Sequence, residues 1–151
     1  MRSDYLNDSS GVSNLDNKVE FLTASRTITA NDSGKVFILS VAGGLTVTLP
    51  SAAPGLNYKF IVGTTFTTAG QINTAATDEL YVGTMMLVDP ATATDMNAFS
   101  ADVSNDDTID LGTAGQGWLQ GGMINIVGIS DTRWHVDGLL VGDGTLATPF
   151  E

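Results

Sequence analysis

The sequence predicts an all-β fold, a single-domain β-sandwich or jelly-roll-like barrel with an extended N-terminal arm. In Leu45–Leu49 apolar residues alternate with threonine, which is the period of a half-buried strand. The chain has 17 glycines, and turn residues such as those of 32–34 and 43–44 separate the apolar runs. Good helix formers such as Glu, Lys and Arg are scarce, so long helices are not expected. At 151 residues and 42% hydrophobic content, the chain can bury one core.

Strand patterns with turns between them follow one another along the chain. Pro50 ends one strand because it has no N–H for the ladder, and Pro54 with Gly55 forms the next turn. No internal repeat of about 20–50 residues is visible, which argues against a solenoid or propeller. In the first half, strands are predicted over Val19–Thr23, Arg26–Thr29, Lys35–Val41, Leu45–Leu49, Asn57–Val62 and Gln71–Ala75.

The second half contains a strong apolar run and a hairpin. Gly83 lies inside the run Glu79–Val88, where it indicates a bulge or a close backbone approach. Residues 91–99 are predicted as a loop, with an edge strand over 98–103. Further strands are predicted around Ile109 and Leu111, over the hairpin Met123–Ile129 with Arg133–Val136, and as a short separate strand from Leu139.

The alternation also predicts which side chains are buried. In Leu45–Leu49 the odd-numbered residues face inward and the threonines outward. The predicted core comprises Phe37, Leu39, Val47, Leu49, Phe60, Val62, Ile124, Ile126 and Trp134.

Charge and composition exclude several functional classes. The net charge is −11 and only six residues are basic, so binding to nucleic acid or to an anionic membrane surface is not expected. The chain has no cysteine, which excludes disulfides and thiolate metal sites. The sequence has no run of about 18 apolar residues, so no membrane span is predicted.

Catalytic and metal sites have weak support in the sequence. His135 is the only histidine, and Asp137 lies on the same face of a strand, but no nucleophile accompanies them, so a structural role is favoured. The acidic stretch 105–110 is compatible with a calcium site and also with ordinary turns, and 142–144 has the same ambiguity. We expect no enzyme activity and no cofactor.

Aromatic residues offer a different class of function. An exposed platform of Trp118, Trp134 or Tyr81 would indicate a carbohydrate-binding module, whereas burial in the β core is the commoner role of tryptophan.

A polar N-terminal arm precedes the β domain. We place the arm at residues 1–16 and the β-sandwich domain at 17–151. Because Arg2, Tyr5 and Leu6 lie close together in a polar segment, they are the candidate anchors of an arm that becomes ordered on a partner. The alternative interpretation of this segment is a frayed terminus.

Five stretches of the chain share a pattern with a known group of proteins: Ser33-Gly34-Lys35, Thr46–Pro50, Gly55–Val62, Thr132–Val136 with Gly138, and Gly144–Phe150. These stretches resemble small virion proteins of tailed bacteriophages, particularly head decoration (cement) proteins. Together the named residues make up about a fifth of the chain. Related β domains also occur in phage fibres and tails, and that alternative stays open.

The resemblance implies a non-enzymatic protein on the outer surface of a capsid, where it clamps neighbouring subunits of the major capsid protein. It also implies a homotrimer. The apolar residues Met85, Met86, Leu87, Leu139, Leu140 and Val141 are the expected trimer contacts, because they would otherwise form exposed patches.

Overall fold

The computed structural model describes residues 18–92, 95–112 and 115–151. Within these ranges the chain forms eleven strands and one three-residue 3₁₀ helix, Ala30–Asp32. The strands are β1 Val19–Leu22, β2 Arg26–Thr27, β3 Val36–Leu39, β4 Thr46–Thr48, β5 Asn57–Val62, β6 Gly70–Asn73, β7 Leu80–Val88, β8 Met96–Ser100, β9 Thr108–Leu111, β10 Met123–Gly128 and β11 Arg133–Val141.

The strands form two sheets, which confirms the predicted all-β sandwich. The first sheet has seven strands in the order β1-β3-β5-β10-β11-β7-β8, and the second has four in the order β2-β4-β6-β9. Residues near the C-terminus run beside β9, where Phe150 forms a bridge to Ile109.

The first six strands alternate between the two sheets. β1, β3 and β5 are parallel neighbours in the large sheet, and β2, β4 and β6 are parallel neighbours in the small one. Each pair of consecutive strands therefore carries the chain once around the core. A jelly roll is built of antiparallel Greek-key strands, so the jelly-roll part of the prediction is not confirmed.

The core lies between the sheets and contains every side chain predicted for it. The Phe37 and Phe60 rings are stacked with centroids 5.5 Å apart, and Tyr58 is tilted against Trp134 at 6.0 Å. The predicted inward register of Leu45–Leu49 is correct, because Leu45, Val47 and Leu49 are buried and the two threonines between them are only half-buried. All nine predicted core residues are buried: Phe37, Leu39, Val47, Leu49, Phe60, Val62, Ile124, Ile126 and Trp134.

Two glycines permit close packing of the long strands. Gly83 in β7 has φ 138°, and a Cβ there would collide with the carbonyl oxygen of Val136. Of the two roles predicted for Gly83, close backbone approach is therefore the observed one. Gly138 has the same function in β11, where a Cβ would meet the carbonyl of Met123.

Two strands differ in extent from the prediction. β8 begins at Met96, within the predicted loop, because its residues pair with β7 from Val88 to Thr84. β11 runs without interruption from Arg133 to Val141, since β7 pairs with its whole length and β10 pairs with Trp134–Leu139 on the other side.

A cluster of four charged side chains links the 3₁₀ helix Ala30–Asp32 to the large sheet. Asp32 is buried, and its carboxylate accepts from Lys35 Nζ at 2.7 Å and from Arg26 Nη2 at 3.3 Å. Glu20 pairs with both basic residues. Burial alone would raise the pKa of Asp32, but hydrogen bonds from Lys35 and Thr29 lower it to about 2. The cluster stabilises the ionised carboxylate and fixes β1 beside β3.

Candidate interaction surface

The outer face of the seven-stranded sheet carries a continuous row of apolar side chains. Residues that are opposite each other in neighbouring strands place their side chains side by side on one face. The strand registers connect seven residues in this way, one from each strand, and we call them the apolar row. They are Phe21, Ile38, Ile61, Met123, Leu139, Met86 and Ala98.

Much of the apolar row is accessible to solvent. Phe21 is 67% exposed, Leu139 44% and Met86 42%, whereas Ile38, Ile61 and Met123 are half-buried between their neighbours. With strands about 4.8 Å apart, the row extends roughly 29 Å across the sheet. It contains no charged side chain, although the chain has a net charge of −11.

The surroundings of the apolar row differ on its two sides. On one side, Val141 and Val88 are half-buried and Met96 is 57% exposed, so the apolar surface widens at β11, β7 and β8. On the other side the central and edge strands carry a polar row. Its members are Lys59, Asn125, Asp137, Thr84 and Ser100.

The structure corrects half of the expected trimer contacts. Met85, Leu87 and Leu140 are fully buried in the core of the single chain, so they are not available to a partner. Side chains alternate between the two faces of a strand. The neighbouring residues Met86, Leu139 and Val141 accordingly lie on the outer face, and Met86 and Leu139 belong to the apolar row.

The proposed arm anchors lie outside the described residues. Arg2, Tyr5 and Leu6 precede Lys18, the first residue that the structure describes. The carbonyl of Lys18 accepts a hydrogen bond from the Val36 amide at 2.7 Å, so Lys18 lies at the β1 edge of the large sheet. This edge is also the end of the apolar row at Phe21.

His135 and Asp137 lie together on the outer face of β11, as the sequence predicts. The distance from His135 Nδ1 to Asp137 Oδ1 is 4.0 Å, and both side chains are about half exposed. The strand neighbours of His135 are Val127 and Val82, neither of which can act as a nucleophile. Asp137 instead accepts from Asn125 Nδ2 at 2.9 Å, which is the contact of an ordinary surface strand.

The acidic stretch before β9 forms turns. The Asp102 carboxylate accepts from the Ser104 amide and from Asn105 Nδ2, and these bonds hold the pKa of Asp102 below its usual value. The Asp106 carboxylate accepts from the Asp102 amide. In the described part of the chain, no group of three or more His, Asp or Glu side chains is placed to hold a metal ion.

Two buried oxygen atoms lack a hydrogen-bond partner among the described residues, Asn73 Oδ1 and Asp110 Oδ1. They belong to the neighbouring strands β6 and β9 of the small sheet. Burial raises the pKa of Asp110, although hydrogen bonds from Gln71 and Gly112 oppose this shift. The small sheet thus carries polar side chains on its outer face and does not extend the apolar row.

The aromatic residues considered as a sugar platform are mostly internal. Trp134 is fully buried and its Nε1 donates to Glu79 Oε2 at 3.3 Å. Tyr81 is fully buried and donates to the Ile72 carbonyl, while burial and the nearby Asp107 and Glu79 raise its pKa well above the usual value. Trp118 is half-buried and donates to Asp143. The alternative of an exposed sugar-binding platform that includes Trp134 or Tyr81 is therefore wrong.

A cleft that the sequence did not reveal lies at the end of the β7–β8 hairpin. Its volume is about 410 Å³, and Asp89, Asp95, Asn97 and Thr145 are among its lining residues. Asp89 is buried, and its Oδ1 accepts from the Ala91 amide at 2.7 Å. This carboxylate therefore stabilises the turn that leads from β7 towards β8.

Comparison with protein-family models and with curated proteins gives no match for this chain. Among the described residues, no helix has the length and apolar character needed to cross a membrane. The candidate functional feature that the geometry itself provides is the apolar row with its extension at β7 and β8.

Proposed function

We propose that this chain is a structural virion protein that decorates the outside of a bacteriophage capsid and stabilises it by bridging neighbouring capsid subunits. The observation that carries the proposal is the apolar row on the outer face of the large sheet. Contiguous exposed apolar surface on a folded chain is typical of a protein–protein contact site. The choice of a phage capsid as the partner depends on the resemblance of the sequence to head decoration proteins.

The apolar row is held on a rigid support. Its residues belong to seven strands that are joined by backbone hydrogen bonds, and Phe37, Phe60 and Trp134 pack behind them in the core. A rigid surface loses little conformational entropy when a partner binds, and this favours tight attachment. A cement protein needs such a surface because the capsid subunits that it bridges exert force on it.

Electrostatics support a large protein partner with basic surface around its contact site. The apolar row has no charge, so its burial costs no desolvation of ionised groups. The rest of the chain is strongly acidic, and acidic surface around an apolar contact would attract a basic rim on the partner. The arm anchors Arg2, Tyr5 and Leu6 remain predictions within this proposal. The homotrimer that the resemblance implies also remains a prediction, and for the isolated chain it competes with the two-fold pairing proposed below.

Electron cryomicroscopy of purified virions that contain this chain tests the proposal. We expect density for a two-sheet body on the outside of the head, with the apolar row against a capsid subunit. Density in the tail or a fibre would support the alternative structural role and overturn attachment to the head. Absence of the chain from washed particles would overturn a virion role altogether.

A matched pair of variants tests the contact surface. Leu139→Glu places a charge in the middle of the apolar row, and we expect it to abolish binding to heads that lack the protein. Val127→Glu adds the same charge to the same face of the sheet, at a residue that is 37% exposed and outside the row. Equal loss of binding in both variants would contradict a contact centred on the apolar row.

A further inference from the structure

The edges of the two sheets differ in how well they are protected. In the small sheet, β2 has only two residues, and β9 is covered by the C-terminal residues, with Asp110 N donating to the Pro149 carbonyl at 2.7 Å. In the large sheet, β1 carries Glu20, which belongs to the charged cluster. Short strands, charges and covering segments are the usual means of preventing edge-to-edge pairing.

Within the part of the chain that the structure describes, β8 at the other edge of the large sheet has none of these protections. Its sequence from Met96 to Ser100 contains no charged residue and no proline, and four of its five residues are exposed. Met96 is 57% exposed, which places an apolar side chain directly at the edge. Such a strand is a template for pairing with another extended segment.

The backbone direction shows which groups of β8 are free to pair. Asp89 N donates to the Asp95 carbonyl and Ala101 N donates to the Gly83 carbonyl, so these two residues of the β8 segment face β7. Backbone groups alternate in direction along a strand. Consequently the N–H and C=O groups of Met96, Ala98 and Ser100 point away from β7, towards the bare edge.

We propose that a second copy of this chain pairs with β8 in antiparallel register about Ala98, which forms a two-fold dimer through a continuous sheet. Ala98 would face Ala98 of the partner, and Met96 would face Ser100 at both ends. Each of these three facing pairs exchanges two backbone hydrogen bonds, about six in all. The edge is thus complementary to itself.

Two chains that each carry −11 repel each other, so a second copy can pair only where the contact region has no acidic side chains. The β8 edge meets this condition, because Met96–Ser100 contains no charged residue. In the proposed register Asp95 would lie opposite Ala101, so no two carboxylates face each other. The Met86 side chains, which neighbour Ala98 on β7, would lie on both sides of the two-fold axis and be covered further.

The contact area sets the expected strength. One edge of five residues with the nearby methionine side chains is well below the roughly 800 Å² per partner of a standard interface, so the dimer is expected to be weak. We expect a dissociation constant of about 10–100 µM. The two-fold pairing also closes after two copies, whereas a trimer needs a heterologous contact between two different surfaces.

Sedimentation velocity from about 10 µM to about 500 µM, a range that brackets this constant, measures the association of the full chain. We expect the wild type to move from monomer to dimer over this range. Ala98→Pro removes an N–H that faces the bare edge and leaves the pairing with β7 in place. Ala98→Lys places two ammonium groups opposite each other at the axis. Both variants should stay monomeric, while the control Val127→Lys should associate like the wild type.

Amide hydrogen exchange gives an independent readout that keeps the test valid if Ala98→Pro folds poorly. The amides of Met96, Ala98 and Ser100 should gain protection as concentration rises, because only these bond across the new contact. A wild type that stays monomeric throughout, a trimer, or an Ala98→Lys chain that dimerises normally would each overturn the proposal. Protection that does not depend on concentration would overturn it as well.

Discussion

Leu139 and Leu140 are neighbours in β11, and the fold gives them opposite roles. Leu139 is 44% exposed in the apolar row, between Met123 and Met86. Leu140 is fully buried, and its side chain lies against the backbone at Gly117 and Gly122. Truncation of each leucine to alanine therefore removes the same atoms from two different environments.

The structure predicts very different costs for the two changes. Leu140→Ala leaves a cavity in packed surroundings, which typically costs about 2–5 kcal/mol of unfolding free energy. At about 3 °C per kcal/mol for a chain of this size, the melting temperature should fall by roughly 6–15 °C. Leu139→Ala removes a partly hydrated side chain and leaves no cavity, so its cost should be about 1 kcal/mol or less.

Differential scanning calorimetry at low micromolar concentration measures both stabilities, and binding to heads that lack the protein tests the proposed function. Leu139→Ala should weaken binding at nearly normal stability, whereas folded Leu140→Ala should bind normally. A Leu139→Ala protein that is as destabilised as Leu140→Ala would show that the outward register of β11 is wrong. Normal binding by Leu139→Ala would remove the row from the contact.

Two further predictions concern stability. Phe60→Ala should lower the unfolding free energy by about 3–5 kcal/mol in urea denaturation, because Phe60 is buried against Phe37, and an unchanged midpoint would contradict this packing. Asp32 has a folded-state pKa of about 2, below its ordinary value of 3.8, so its ionised form stabilises the fold above about pH 4 and this contribution is lost as pH falls through about 2. Asp32→Asn should therefore cost about 2 kcal/mol at pH 7 and progressively less towards pH 2, while Asp131→Asn in an exposed turn should match the wild type; a difference that does not depend on pH would refute the role of the charge.

Within single strands, the sequence was sufficient to predict the core. Alternation in Leu45–Leu49 and in Asn57–Val62 shows which side chains share a face, and the two sheets bury those faces as expected. The prediction that all of Met85-Met86-Leu87 contacts a partner is wrong because this run lacks such an alternation. A strand that is apolar on both faces has no alternation, so the sequence does not show that Met86 points outward while its neighbours are buried.

The apolar row itself could not be predicted from the sequence because it depends on pairing between distant strands. Phe21, Ile61 and Leu139 are each one outward residue in a different strand, and only the registers bring them into line. The parallel pairing of β1, β3 and β5 could not be predicted from the sequence either. Val36 follows its partner Val19 by 17 residues, and Lys59 follows Val36 by 23, so turns of unequal length leave no sequence period.

The position of β8 connects the apolar row with the proposed dimer. The row begins at Phe21 near the charged edge of the sheet and ends at Ala98 on the bare edge. Pairing of two β8 strands would join two rows end to end and extend the apolar surface from roughly 29 Å to roughly twice that length. Because the two halves would be related by a two-fold axis, each would present the same residues and recognise the same site on a different subunit. A single chain offers one such surface, whereas a dimer would offer two at a fixed separation, and this geometry suits the bridging of neighbouring subunits that we propose.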